Sequence, residues 1–278
     1  MAGKSSKLSD SKTTAPGRAL AIVAHPDDIE FLMAGTLLLL KQAGLETHYM
    51  TLSSGNCGSM RLSSTRTRMV RRRESINAAK ILGATYHESI CDDLEIVYSV
   101  ELLRQVAATI REVAPTIILT HSPQDYMEDH TNTSRLTVTA AFSRSMPNFR
   151  TTPFRKHVAG EVTIYHALPH GLRGPLNEPV TPEFFVDTSA VHDRKRQALA
   201  AHASQKDWLD ATQGMDSYLR VLDDMSRTVG EMSHRFEHAE GWRRHNPLGF
   251  CAPDADPLRD LLAPNHHFNQ YYRPPTHD

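Results

Sequence analysis

The alternation of apolar and polar positions changes character after Gly17. Residues 19–24 form an unbroken apolar run, the pattern of a strand covered on both faces. A polar turn follows. Residues 35–43, with Leu37, Leu38, Leu39 and Leu40 in a row, then predict a buried helix that Gly44 stops. Residues 47–52 predict a second strand, which leads into a Ser/Gly/Asn loop over 53–59. Residues 65–82 predict a helix closed by Gly83, and residues 100–113 an amphipathic helix that ends before Pro115. Residues 116–120 are again a buried-type strand, and a helix is expected over 131–144. The second half is less regular: strands at 162–166 and 184–187, helices at 193–203 and 217–234.

Strands alternating with helices across short turns predict an α/β fold with a largely parallel sheet. One domain is expected over 18–246. A Ser/Lys/Thr-rich tail, 1–17, is read as disordered. A Pro-rich, aromatic extension, 247–278, is expected to pack on the domain or stay partly disordered. In sheets of this kind ligands bind beyond the carboxyl ends of the strands. His25-Pro26-Asp27-Asp28 follows the first strand and the segment 121–130 follows the strand at 116–120, so two distant polar clusters are expected on one edge of the sheet.

Composition narrows the classes. The chain has 278 residues with 40% hydrophobic content, and its 31 basic and 32 acidic residues nearly cancel, so no global charge points to nucleic acid or a membrane surface. No apolar run reaches the ~20 residues of a membrane span, and the N-terminus has no apolar core of a secretory signal. Three dispersed cysteines, Cys57, Cys91 and Cys251, form neither a disulfide framework nor a CxxC knuckle and suit a reducing, cytoplasmic setting.

The chemistry lies in the two polar clusters. His25 and Asp28 offer an imidazole and a carboxylate, both ordinary zinc ligands, and Pro26 stiffens the backbone that presents them. His130 can add the third ligand. Two histidines and a carboxylate leave one tetrahedral position open, as a catalytic zinc site requires. The His-Pro-Asp-Asp turn taken alone is equally consistent with helix capping; the second His/Asp cluster is what favours metal. The arginines at 66–73 read more readily as a solvated helix face than as an anion or nucleic-acid site. The 53–58 loop has neither GxGxxG nor a Gly-Lys-Ser/Thr ending, and no G-x-S-x-G elbow occurs. Trp208 and Trp242 read as packing residues.

Ala24-His25-Pro26-Asp27-Asp28, continuing through Ile29-Glu30 and Ala34-Gly35-Thr36, resembles the signature of the LmbE/PIG-L family of zinc-dependent de-N-acetylases. Arg71-Arg72-Arg73-Glu74 with Leu82-Gly83, the segment ending at His130, Val186-Asp187-Thr188, Lys195 and His202-Ala203-Ser204-Gln205 are similar to further family motifs in the same order. The resemblance implies a Rossmann-like arrangement, zinc held by His25, Asp28 and His130, and Asp27 as general base for a metal-activated water. It further implies an orienting role for Asp129 and substrate contacts from Arg71 and Asp93. The substrate class it implies is an N-acetylated amino sugar or related small glycoconjugate, with a homo-oligomer compatible.

One position departs from the family pattern. Met127 stands where the family carries a histidine that stabilises the oxyanion or protonates the leaving amine. Loss of one such donor costs ~10²–10³ in rate. His121, His166 and His170 are the candidates to replace it, with His170 assigned the catalytic role and His121 a substrate contact. The remaining alternatives are a non-catalytic, zinc-containing glycan-binding protein and an amidase acting on a non-sugar conjugate.

Overall fold

The computed structural model describes residues 17–205 and 218–274. The expected N-terminal tail up to residue 16, Trp208, and the last four residues lie outside the described residues. In chain order the elements are β1 (Arg18–Val23), α1 (Asp28–Leu32), α2 (Ala34–Gln42), β2 (Glu46–Thr51), α3 (Ser64–Leu82), β3 (Thr85–His87), α4 (Val100–Val113) and β4 (Ile117–Thr120). They continue as α5 (Glu128–Phe142), β5 (Thr163–Ala167), β6 (Phe184–Asp187), α6 (His192–Ala200), α7 (Tyr218–Ser233), β7 (Ala239–Arg244), α8 (Pro257–Leu261) and β8 (His266–Phe268).

All eight strands form one sheet in the order β3-β2-β1-β4-β5-β7-β6-β8. The first five are parallel, whereas β7 runs antiparallel to β5 and β6, and β8 antiparallel to β6. Chain order reverses at β1, which lies between β2 and β4. That places the crevice expected for a ligand at the carboxyl ends of β1 and β4.

The β1 run is apolar throughout because each face meets a different core. Ala19, Ala21 and Val23 pack with Leu37, Leu40 and Tyr218 on one side, and Leu20 and Ile22 pack with Leu103, Val106 and Leu136 on the other. The ends of α4 match the sequence expectation because both are chemically marked: Ser99 Oγ accepts from Leu102 N, and Ala114 turns left-handed just before Pro115. Helix α5 starts three residues earlier than the pattern predicts, so Asp129 and His130 lie within its first turn rather than ahead of it. The extension beyond residue 246 adds α8 and β8, which pairs with β6. Among the described residues no helix is long and apolar enough to cross a membrane.

Helix α2 is tied to the far side of the sheet by a buried charge. Glu240 on β7 accepts from Gly35 N and Thr36 N at 2.8 Å each, and Lys195 Nζ lies 2.8 Å from the same carboxylate. The carboxylate therefore fills the helix N-terminus from 205 residues away. Trp242, fully buried, donates from Nε1 to Thr36 Oγ1 and is a packing residue. Lys195→Met is expected to cost about 3–5 kcal/mol in urea unfolding, because it leaves the Glu240 charge buried without its cation.

Candidate metal centre

Strand β1 ends at Val23 and the chain turns sharply through His25-Pro26-Asp27 into α1. Asp27 adopts a left-handed backbone (φ 98°), a conformation that costs a non-glycine residue roughly 1–3 kcal/mol and persists only where surrounding contacts hold it. The turn places Asp28 at the centre of three imidazoles. Its Oδ2 accepts from His25 N at 2.8 Å and lies 3.5 Å from His25 Nδ1, 3.3 Å from His121 Nε2 and 3.4 Å from His130 Nε2. His25 and His130 come from different strand ends, and with Asp28 each offers one donor atom within 4.8 Å of the other two.

The far nitrogens show which face of each ring is free. His25 Nε2 bonds Asp129 Oδ2 at 2.9 Å, and His130 Nδ1 bonds Asp125 Oδ1 at 3.0 Å. With those nitrogens donating to carboxylates, His25 Nδ1 and His130 Nε2 both present lone pairs toward Asp28. A carboxylate behind each imidazole is the arrangement that fixes the tautomer of a metal-binding histidine and raises its basicity. This donor set fits a divalent cation such as zinc.

The electrostatics agree. Burial alone would push the Asp28 pKa up, but the neighbouring His130 and His121 imidazoles hold it well below the usual carboxylate range. Burial would lower His25, yet hydrogen bonds to Asp129 and Asp28 lift it to about 10, and the Asp28 charge likewise raises His130. The field that stabilises protons on these two rings also favours a cation that displaces them.

His121 is fully buried and stacked on His130, with centroids 4.1 Å apart. Its Nε2 accepts from Ala24 N at 2.9 Å, which places the ring proton on Nδ1. Nδ1 has no partner among the described residues, and neither has the buried Asp125 Oδ2. His121, Asp125 and His130 also lie close enough to one another to hold a metal.

Three residues assigned to substrate from the sequence are held by protein contacts. His121 is enclosed, and its Nε2 is taken by Ala24 N. Ser53 Oγ, Gly55 N and Cys57 N all donate to Asp93 at 2.8–2.9 Å, so it clamps the 53–57 loop. Arg71 is 2% exposed, and its guanidinium bonds the Pro26 carbonyl and Gln205 Oε1 and sits 3.5 Å from Asp27 Oδ2, which braces the turn.

Of the three histidines proposed to replace the one missing at Met127, His166 is also engaged. Its Nδ1 bonds the His121 carbonyl at 2.7 Å and its Nε2 bonds His245 Nδ1 at 2.9 Å. His170 opens a short turn after β5, with its ring edge-on to Phe31 at 4.9 Å and no hydrogen bond to its ring nitrogens among the described residues. Burial lowers its pKa, while the charges of Asp28 and Asp27 act to raise it, which places it in the field of the site.

Two residues of the site carried no sequence assignment. Asp125 lies inside the second cluster, but no periodicity marks it as the partner of His130. Tyr218 donates to Asp27 Oδ2 at 2.7 Å across 191 residues, which no local signal reveals.

An α/β sheet covered on both faces thus carries, at its switch point, a His₂Asp donor set that could hold a metal ion. Residues 20–141 of the chain match the family model described as PIG-L, GlcNAc-PI de-N-acetylase. Among its relatives is diacetylchitobiose deacetylase of Thermococcus kodakarensis, 29% identical over 234 residues covering 81% of this chain and 82% of the relative. The structure of N,N'-diacetylchitobiose deacetylase from Pyrococcus horikoshii superposes with a TM-score of 0.68 at 23% identity, covering 87% and 88% of the two chains. GalB, the 4-carboxy-2-hydroxymuconate hydratase from Pseudomonas putida, is similar at 0.66 and 26%, covering 82% and 95%.

Proposed function

We propose that the protein is a zinc-dependent hydrolase that removes an acyl group, acetyl in the simplest case, from an N-acylated amino sugar or related glycoconjugate. The observation that carries this reading is the convergence of His25 Nδ1 and His130 Nε2 on Asp28 Oδ2, each ring backed by its own carboxylate. His25, Asp28 and His130 would hold the cation, which supplies when bound a Lewis acid for the amide carbonyl and for water.

Asp27 is the general base. Burial raises its pKa against the opposing Arg71 charge, and the higher pKa makes its carboxylate a better acceptor for a proton from the attacking water. As the carbon–nitrogen bond breaks, the leaving amine needs a proton. His170 is the group free to donate it in place of the histidine missing at 127. Beside Pro26, a hollow of about 350 Å³ is lined by Ser54, Ser75, Ser89 and Tyr86 together with Arg68 and Arg72, a surface suited to a hydroxylated substituent. The deacetylase relatives support an acetamide substrate.

A second reading rests on Met127 together with the hydratase relative. Water addition to a carbon–carbon double bond uses the same base and expels no amine; the proton taken from water is balanced by one delivered to the adjacent carbon, so no donor to a leaving amine is needed at position 127. Zinc-loaded protein should release amine and acetate from N,N'-diacetylchitobiose or N-acetylglucosamine. Loss of ultraviolet absorbance from an unsaturated dicarboxylate, with no amine released from any amide, would support the hydratase instead. Zinc binding with neither activity would leave a binding protein.

Asp125→Asn and Asp129→Asn should each weaken zinc binding by roughly 10–100-fold, read by competition with a chelating dye. Affinity unchanged in both would remove their orienting role.

A further inference from the structure

We propose that Tyr218 and Arg71 are positioning residues that aim the carboxylate of Asp27, so that one oxygen is held by the protein and the other is left for the reaction. This rests on the reading of Asp27 as the base. Tyr218 opens α7 and is buried, and its hydroxyl donates to Asp27 Oδ2 at 2.7 Å. Arg71, on α3, reaches the same oxygen at 3.5 Å while also bonding the Pro26 carbonyl, one residue before Asp27. The two side chains thus engage Oδ2 and the adjoining backbone, and Oδ1 has neither contact. Four charged or polar groups face this carboxylate: Arg71 from α3, Asp28 from α1, His202 beyond α6, and Tyr218 from α7.

The arrangement is specific to this turn. Asp27 sits in a left-handed conformation, and its Oδ2 meets these partners. Gln205, which bonds Arg71 Nη1, and Tyr218 are thirteen positions apart and converge on the same carboxylate–guanidinium pair. The Tyr218 ring is also edge-on to Phe31 at 5.3 Å, a contact that a phenylalanine retains. Removing only the hydroxyl therefore leaves the packing in place and frees Asp27 Oδ2 to rotate.

The test is kinetic, on zinc-loaded full-length protein with a turned-over amide. Tyr218→Phe should lower kcat by roughly tenfold or more with KM and zinc stoichiometry unchanged, because aim matters only to the reacting groups. Arg71→Lys, which keeps charge but loses the planar fork, should act in the same direction. In an Asp27→Asn background neither change should reduce the residual rate further, whereas a merely structural role would add its own loss. A Tyr218→Phe protein with wild-type kcat, or with losses that add to Asp27→Asn, overturns the proposal. Absence of amide turnover in the wild type would instead sink the parent reading. In that case the crystal structure of Tyr218→Phe decides: a rotated Asp27 carboxylate supports the proposal and an unmoved one contradicts it.

Discussion

Asp27→Asn should keep one zinc per chain and lose roughly 10²–10⁴-fold in kcat. The amide matches the carboxylate in shape, and its oxygen can still accept from Tyr218, so neither the turn nor the adjoining Asp28 has cause to move. What disappears is the capacity to accept a proton. Burial would shift an unsupported carboxyl toward its neutral form, and the Arg71 charge counters that shift. Charge and hydrogen bonds therefore act against burial, and the net rise in pKa makes the carboxylate a stronger base. Metal analysis alongside steady-state kinetics checks the prediction. Wild-type turnover in the variant would remove Asp27 from the mechanism, and loss of zinc with the activity would make it a determinant of the metal site instead.

The second large effect is expected at His130. His130→Ala removes a donor and, at the same time, the ring that Asp125 Oδ1 bonds. Zinc affinity should fall on the order of 10³-fold or more, beyond the ~10–100-fold expected from changing the carboxylate behind the ring. Activity should follow metal occupancy. Asp125 would be left buried without its imidazole, so some loss of stability is also expected, and thermal unfolding with and without zinc separates the two effects. Substituting His121 gives the contrast. Its Nε2 is committed to Ala24 N, so His121→Asn should change stability more than zinc stoichiometry.

The legible parts of the fold were those with strong local signals. Strand β1 was readable because burial on both faces demands an unbroken apolar run, and α4 because a serine cap and a following proline bracket it. Strand β7 was not readable, since Ala-Glu-Gly-Trp-Arg-Arg looks like a surface segment. Its place inside the sheet depends on Lys195 and the α2 amides neutralising Glu240, partners far away in sequence. Three-residue β3 and β8 carry too little pattern to register, and the antiparallel half of the sheet stayed hidden with them.

The site divides along the same line. His25, Asp28 and His130 could be brought together from sequence because each follows a recognisable strand and strands of this sheet end on one edge. The contacts that orient them could not. Asp129 was expected near a ligand histidine, yet the chain fold directs it to His25 rather than to its neighbour His130. Arg71 and Asp93 were assigned to substrate by the family resemblance and His121 as a histidine near the site, and only side-chain packing shows which protein groups each of them bonds. The gap at Met127 was visible in sequence and His170 was chosen there to fill it, but that the His170 ring nitrogens are without hydrogen bonds among the described residues while those of His166 are bonded is a matter of side-chain packing.

The most direct test of the metal-centred account is the zinc content of the purified protein after dialysis against one equivalent, measured by plasma mass spectrometry with X-ray absorption at the zinc edge. The account predicts one tightly held zinc per chain, coordinated by nitrogen and oxygen donors without sulfur, and its loss in both Asp28→Ala and His130→Ala. Zinc retained at full stoichiometry in those two variants, or sulfur in its coordination sphere, would contradict it.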